Sequence, residues 1–394
     1  MNKKFLGAGL VVVLGLIGVV GKNIYIANQI ENNLQELTKK DNSINSLEGD
    51  VSCSGIFSTS CVIDDFQLSI INDLSRYKTN DIDLYADSIE IDNINSMKNL
   101  QEAFDGIKKE KNKRLKFEKF KEIITEMDEE YNVLIKNLKI AQNGKDPKIL
   151  INNFASKLKN ELQKNDEVEE FIDDIVDIYN EEGITIESEI DLDNGDIALS
   201  SYIEVAGLKL EYNVDAEIDN ESIMSSNQYN FNKALLDTVI NDLSIELEFT
   251  EKTFPEYLAF IINSEYINAR GYNKRRILNK YKNIFGNDLN INSLDSEQIS
   301  NLANSDAFQK NIEKFKRNLF RYTKKADDDS QEMIEKLLEQ FLSKIVKLCK
   351  DDDNSIEIEV IGKKSLNEIV NNSMSIVSGS SKEKLSDLIE LSIN

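Results

Sequence analysis

Polar and apolar residues alternate with a period of two through several short stretches of this chain, and helix-like spacing fills the lengths between them. Phe66, Leu68 and Ile70 alternate with Asp65, Gln67 and Ser69, and Ile82, Leu84 and Ala86 alternate with Asp81, Asp83 and Tyr85. After Ala86 the phase slips by one, so that Ile89 and Ile91 carry the apolar series onward. These stretches predict half-buried strands, with a bulge at the slip. The clearest signal runs from Ile184 to Ile218 and predicts a three-stranded meander, turning at Asp193-Asn194-Gly195-Asp196 and at Ala206-Gly207. Its last strand sets Leu208, Leu210, Tyr212 and Val214 on one face and Lys209, Glu211, Asn213 and Asp215 on the other. Two uses of the oily face stand open. Either the chain's own helices cover it as core, the favoured expectation because so many amphipathic segments need a surface, or Leu208, Leu210, Tyr212 and Val214 form a face for an apolar ligand.

Helical spacing dominates two regions. One is an insertion from about 96 to 180, with apolar series such as Phe117, Phe120, Ile123, Ile124 and Met127, read as two or three helices. The other is a mainly helical region from about 251 to 350, whose last long helix ends at Asp351-Asp352-Asp353-Asn354. The strands Ser244–Phe249 and Ser355–Val360 share a pattern of alternating Ile or Leu and Glu, echoed at Ser88–Asp92. A diverged strand-then-helix repeat and simple compositional likeness explain this equally well. The fold class expected is α+β: one N-terminal transmembrane helix, then a mostly antiparallel, curved β-sheet with long helical insertions.

The transmembrane segment is expected at Phe5–Gly21, an unbroken run of apolar residues and glycines with Lys3 and Lys4 before it and Lys22 after it. Seventeen helical residues extend roughly 25 Å, close to the thickness of a bilayer's hydrocarbon core. A cleaved signal peptide is the competing reading, but a small-residue cleavage pattern is missing, and helical spacing continues through Ile30, Leu34 and Leu37. Residues 1–40 are therefore expected to form anchor and helical extension, and 41–394 an extracytoplasmic domain. The leading lysines place the short end in the cytoplasm and the bulk of the chain in the periplasm of a bacterial inner membrane.

Composition sharpens this picture mainly by exclusion. The formal net charge is −24, from 71 acidic against 47 basic residues. That balance argues against a nucleic-acid partner and would repel an anionic membrane surface. The basic stretch Lys108–Lys121 has interleaved glutamates, reads as a solvated helix face, and has no matching patch elsewhere. Cys53 and Cys61, separated by the seven residues Ser54–Ser60 with Val51 before and Val62-Ile63 after, could sit opposite one another near a hairpin turn and are expected to form a disulfide. Cys349 closes the helical series Leu338, Phe341, Leu342, Ile345, Val346 and is expected as a buried thiol.

The chain has no histidine and no tryptophan. Without histidine there is no Ser-His-Asp or Cys-His arrangement, and most zinc and non-haem iron sites lose their usual ligand. Asp191–Asp196 fails as a calcium loop, because its glycine falls one position early and Tyr202 stands where a bidentate glutamate is needed. The three Ser-x-x-Lys matches lack the companion motifs of a penicillin-binding site. No catalytic residue, cofactor or metal ligand is assigned.

The N-terminal run, Glu48-Gly49-Asp50-Val51, and Ile63–Ile70 followed by alternating strands resemble the opening of bacterial AsmA and YdgA-like proteins. The likeness covers roughly the first 95 residues and the meander. It implies an inner-membrane-anchored periplasmic protein of elongated, curved β-sheet, with an oily concave face and a role in outer-membrane or lipid homeostasis. The function expected is thus an envelope binding or scaffold protein, partnered by the membrane through its N-terminal helix and by a lipid or another envelope protein. The alternative is an envelope hydrolase working with carboxylates alone.

Overall fold

The computed structural model describes residues 44–54, 59–72, 80–162, 165–227, 230–231, 234, 237–291, 294–323, 328–362, 364–365, 368–369 and 389–394. The expected anchor at 5–21 and its helical extension lie outside them. Among the described residues no helix is long and apolar enough to cross a membrane.

Ten strands form one sheet in the order of the chain: β1 Ile44–Ser54, β2 Ser60–Asn72, β3 Asn80–Asp92, β4 Asp128–Gln142, β5 Ile184–Asp193, β6 Asp196–Val205, β7 Leu208–Glu217, β8 Val239–Phe249, β9 Ser355–Gly362 and β10 Ile389–Ile393. Ten helices are described between them: α1 Ile94–Lys109, α2 Lys113–Glu126, α3 Pro147–Glu161, α4 Asp166–Glu182, α5 Asn220–Ser225, α6 Phe254–Asn268, α7 Tyr272–Phe285, α8 Ser296–Ala303, α9 Asp306–Thr323 and α10 Asp328–Lys350. The α+β class and the antiparallel pairing match the expectation. The expected meander is β5–β7, with Asn194 and Gly195, then Ala206 and Gly207, at positive φ in its two turns.

The insertion at 96–180 is corrected: it holds four helices and the fifteen-residue strand β4. The physical reason is visible in β4 itself. Tyr131, Val133 and Ile135 alternate, but the next core residue is Leu138, and a step of three mimics helical spacing.

That step belongs to a seam crossing three strands. In β2 the core positions jump from Ile63 to Phe66, in β3 from Ala86 to Ile89, and in β4 from Ile135 to Leu138. Because all three strands carry the extra residue, β2–β3 and β3–β4 keep their register unbroken, with Ile63 opposite Ile89 and Ile89 opposite Ile135. The register shifts that accompany the seam fall at its margins instead, between Glu48 and Asp50 of β1 and between Ile135 and Leu138 of β4, and β1 has a further shift at its start, between Ile44 and Ser46. Asp65 and Asn137 take left-handed backbone conformations on either side of Asp87, and Asn137 Nδ2 donates to Asp87 Oδ2 at 2.6 Å. Gly183 lies against this point. A Cβ there would come within 2.8 Å of the Asn137 carbonyl carbon, and its φ is +63°. The predicted bulge in β3 is therefore one member of a concerted slip that keeps one face apolar on both sides.

The chain falls into two compact units: residues up to Leu150 with Glu181–Ile203 and Asn213–Val239, and Ile151–Asn180 with Glu204–Tyr212 and Ile240–Asn394. In the first, the core is built from β1–β4, centred on Ile63, Ile89 and Ile91, with Ile94 at the start of α1 as its one helical member among the described buried residues. A smaller cluster joins Ile218, Ile223 and Phe231 to Phe117. Beside it Lys121 is buried, and its Nζ donates to the carbonyls of Met224 and Ser226, each at 3.0 Å, while pairing with Glu118 at 2.9 Å. The reading of Lys108–Lys121 as a solvated face fails at this last residue, because two inward-pointing carbonyls give its ammonium partners.

In the second unit the helices mainly bury one another. Ile262, Ile277, Tyr281, Phe285, Ile299, Phe308 and Cys349 form one core, and α3 and α4 form another with Phe260 and Ile267. Helices meet strands at the end of β8, where Phe249 packs on Phe254 and Tyr257 and the Tyr257 hydroxyl donates to the Ala206 carbonyl at 2.8 Å, and at β10, which α10 lies against.

Candidate functional site: an open apolar sheet face

β8, β9 and β10 repeat the oily-acidic alternation in strict register. Leu243, Val360 and Leu391 lie in one row, Ile245, Ile358 and Ile393 in the next, and Leu247 lies opposite Ile356. Rows of β-branched and leucine side chains on one face are what a pleated, covered sheet favours. Here the face is uncovered at its centre. Ile245 is 46% exposed and Ile358 45%. On β7, Leu210 is 46% and Tyr212 37% exposed, whereas Leu208 and Val214 are half-buried. The Thr250 N–H donates to the Gly207 carbonyl at 3.0 Å, and an antiparallel ladder continued from that bond sets Leu210 opposite Leu247 and Tyr212 opposite Ile245.

The structure thus places the four predicted residues on one strand face, as their parity requires, and corrects the expectation that helices cover that face: Leu210 and Tyr212 stand open. Sequence reasoning missed Ile245 and Ile358 as members, although the signal was present in the Ile-Glu alternation at Ser244–Phe249 and Ser355–Val360. A repeat and simple compositional likeness explain those two stretches equally well, and neither explanation makes them one surface. Around Glu357 and Glu359 the reverse face is polar and internally bonded, with the exposed Ile361 beyond them. Ser392 Oγ donates to Glu359 at 2.8 Å, and Asn394 Nδ2 reaches Glu357 at 3.2 Å. One side of these strands can therefore take an apolar group, while the other holds water and ions.

The second feature with converging charge is a cleft of about 240 Å³ lined by Glu167, Glu170, Asp174, Glu256 and Asp295 around Lys252. Lys252 Nζ lies 2.6 Å from Asp174 and 3.0 Å from Glu256. Burial pulls the ammonium's pKa down, but the two carboxylates outweigh it and hold it above the ordinary lysine range. Burial, helped by the Glu256 charge, pushes the neighbouring Tyr257 hydroxyl up to about 12. A carboxylate hydrolase needs an acid kept protonated near neutrality. Among the described residues, the carboxylates with displaced titration, Asp219, Glu265 and Asp353, all move downward. For Glu265 the main cause is the Tyr281 hydroxyl, 2.6 Å away. No group of three or more metal-ligating side chains is assembled among the described residues.

Cys53 and Cys61 are opposite one another on β1 and β2, with sulphurs 2.07 Å apart, as the spacing predicted. Cys349 is a buried thiol whose pKa is pushed up to about 12 by desolvation, which makes it a poor nucleophile. The expectation that no second basic patch exists is corrected. Arg270, Lys274, Arg275, Arg276, Lys280 and Lys282 follow one another without an intervening acid. Counting charge over the whole chain concealed this local run.

Neither a family model nor a curated protein sequence matches this chain.

Proposed function

We propose that this protein is a membrane-anchored binding or scaffold protein of the bacterial envelope, its folded part in the periplasm, and that the open face of β7–β9 takes an apolar or lipid ligand. The observation that carries the reading is the group Leu210, Tyr212, Ile245 and Ile358, each more than a third exposed on strands adjacent in the sheet. Soluble domains seldom leave a contiguous apolar surface of this kind without a partner for it. The bonded Cys53–Cys61 pair suits an oxidising compartment. The apolar run at 5–21 between lysines, and the likeness of the first 95 residues or so to AsmA and YdgA-like proteins, support the anchor and the envelope placement.

Native mass spectrometry of the full chain, expressed in an oxidising compartment and released gently from detergent, tests the ligand. The wild type is expected to carry co-purified lipid, and the Ile245→Asp/Ile358→Asp double variant to lose it while keeping its far-ultraviolet spectrum. A lipid-free wild type, or a folded double variant with undiminished lipid, contradicts the reading.

A further inference from the structure

We infer that the helix pair α7–α9 is a docking surface for an anionic lipid bilayer. The two helices are packed neighbours: the rings of Phe285 and Phe308 stack with centres 5.3 Å apart, and Asn311 Nδ2 donates to the Ile284 carbonyl at 3.2 Å. With Ile277, Tyr281 and Phe285 of α7 buried, helical spacing turns Arg275, Arg276 and Tyr272 outward. With Phe308 of α9 buried, Lys310, Lys314, Arg317 and Arg321 fall at i, i+4, i+7 and i+11 along the outer face, and all four are exposed.

In a chain of net charge −24 this is, after Lys108–Lys121, a second local concentration of cations, and unlike that stretch its run on α7 has no interleaved acid. Arg270, Arg275, Lys282, Lys310 and Lys314 make no ion pair among the described residues, whereas Lys316 is occupied by Glu339 and Lys280 by Glu265. Charge on the rest of the molecule does not cancel the patch at a surface, because the screening length is only about 8 Å at physiological salt. Polybasic segments of this size are attracted to lipid head groups of net negative charge. Tyr272, at the first position of α7, is 80% exposed. An amphipathic ring beside arginines suits the head-group layer, where tyrosine is enriched. The choice of a bilayer over a nucleic acid rests on the membrane-anchored reading proposed above. The docked helices would hold the periplasmic part close to the bilayer from which an apolar ligand would come.

The full chain, reconstituted into nanodiscs of phosphatidylcholine alone or of phosphatidylcholine with phosphatidylglycerol, tests this by lysine acylation footprinting. Phosphatidylglycerol is expected to slow labelling of Lys282, Lys310 and Lys314 severalfold, with the exposed Lys145 and Lys148, which flank Asp146, unchanged as internal reference. Raised salt, or Arg275→Glu/Arg276→Glu, should abolish the difference, each lost cation weakening the contact by about fivefold. Equal labelling in the two kinds of disc overturns the proposal. So does stronger protection of the same lysines by duplex DNA than by phosphatidylglycerol, which would reassign the patch to nucleic acid. A chain that enters neither disc refutes the anchored reading separately. Flotation of that free chain with phosphatidylglycerol vesicles but not with phosphatidylcholine vesicles then supports the patch, and flotation with neither overturns it.

Discussion

Ile89 in the first unit and Ile358 in the second occupy alternating strands of nearly the same composition, Ser-Ile-Glu-Ile-Asp and Ser-Ile-Glu-Ile-Glu, yet one is buried and the other almost half exposed. The sequence pattern assigns each isoleucine to an apolar face but does not determine what covers that face. In the first unit, the concerted extra residues of β2, β3 and β4 keep that face apolar along its whole length, and Ile63, Ile89, Ile91 and Ile94 bury one another. In the second, the helices turn their apolar sides toward each other around Ile262, Ile299 and Phe308, and reach the strands at the end of β8 through Phe249 and at β10 through α10. A face left over in this way is where binding chemistry can reside without endangering the fold.

The comparison breaks most visibly at Ile89. Ile89→Asp puts an unpaired carboxylate into a closed core and should cost about 3–5 kcal/mol, enough to unfold the first unit. Urea titration followed by circular dichroism reads this directly, and a midpoint close to wild type would mean that the face is hydrated. The next effect is the disulfide joining β1 to β2. Cys53→Ala/Cys61→Ala opens a short loop and should cost about 2–3 kcal/mol by the same titration. Alkylation of denatured, unreduced wild-type protein should leave both cysteines unmodified while Cys349 reacts.

The alternating strands were legible because a period of two survives in this composition, and the meander at 184–218 was readable in full, turns included. β4 was not legible, since the slip at Asn137 turns a strand's spacing into a helix's and only neighbouring strands reveal that it is shared. Lys121 could not be told from Lys116 or Lys119 by composition. Its burial depends on carbonyls of Met224 and Ser226 about a hundred residues away in sequence. Of the binding face, Leu208, Leu210, Tyr212 and Val214 followed from parity. Ile245 and Ile358 required the pairing of β8 with β9 across the helices α6–α10. The basic run on α7 was plain in the residues and hidden by averaging charge over the whole chain.

The openness of the β7–β9 face is tested most directly by urea denaturation of Ile358→Asp beside the wild type. A solvated carboxylate on an uncovered sheet should shift stability by no more than about 1 kcal/mol. A loss of several kcal/mol, comparable to that of Ile89→Asp, would show that Ile358 belongs to a closed core and that the face binds nothing.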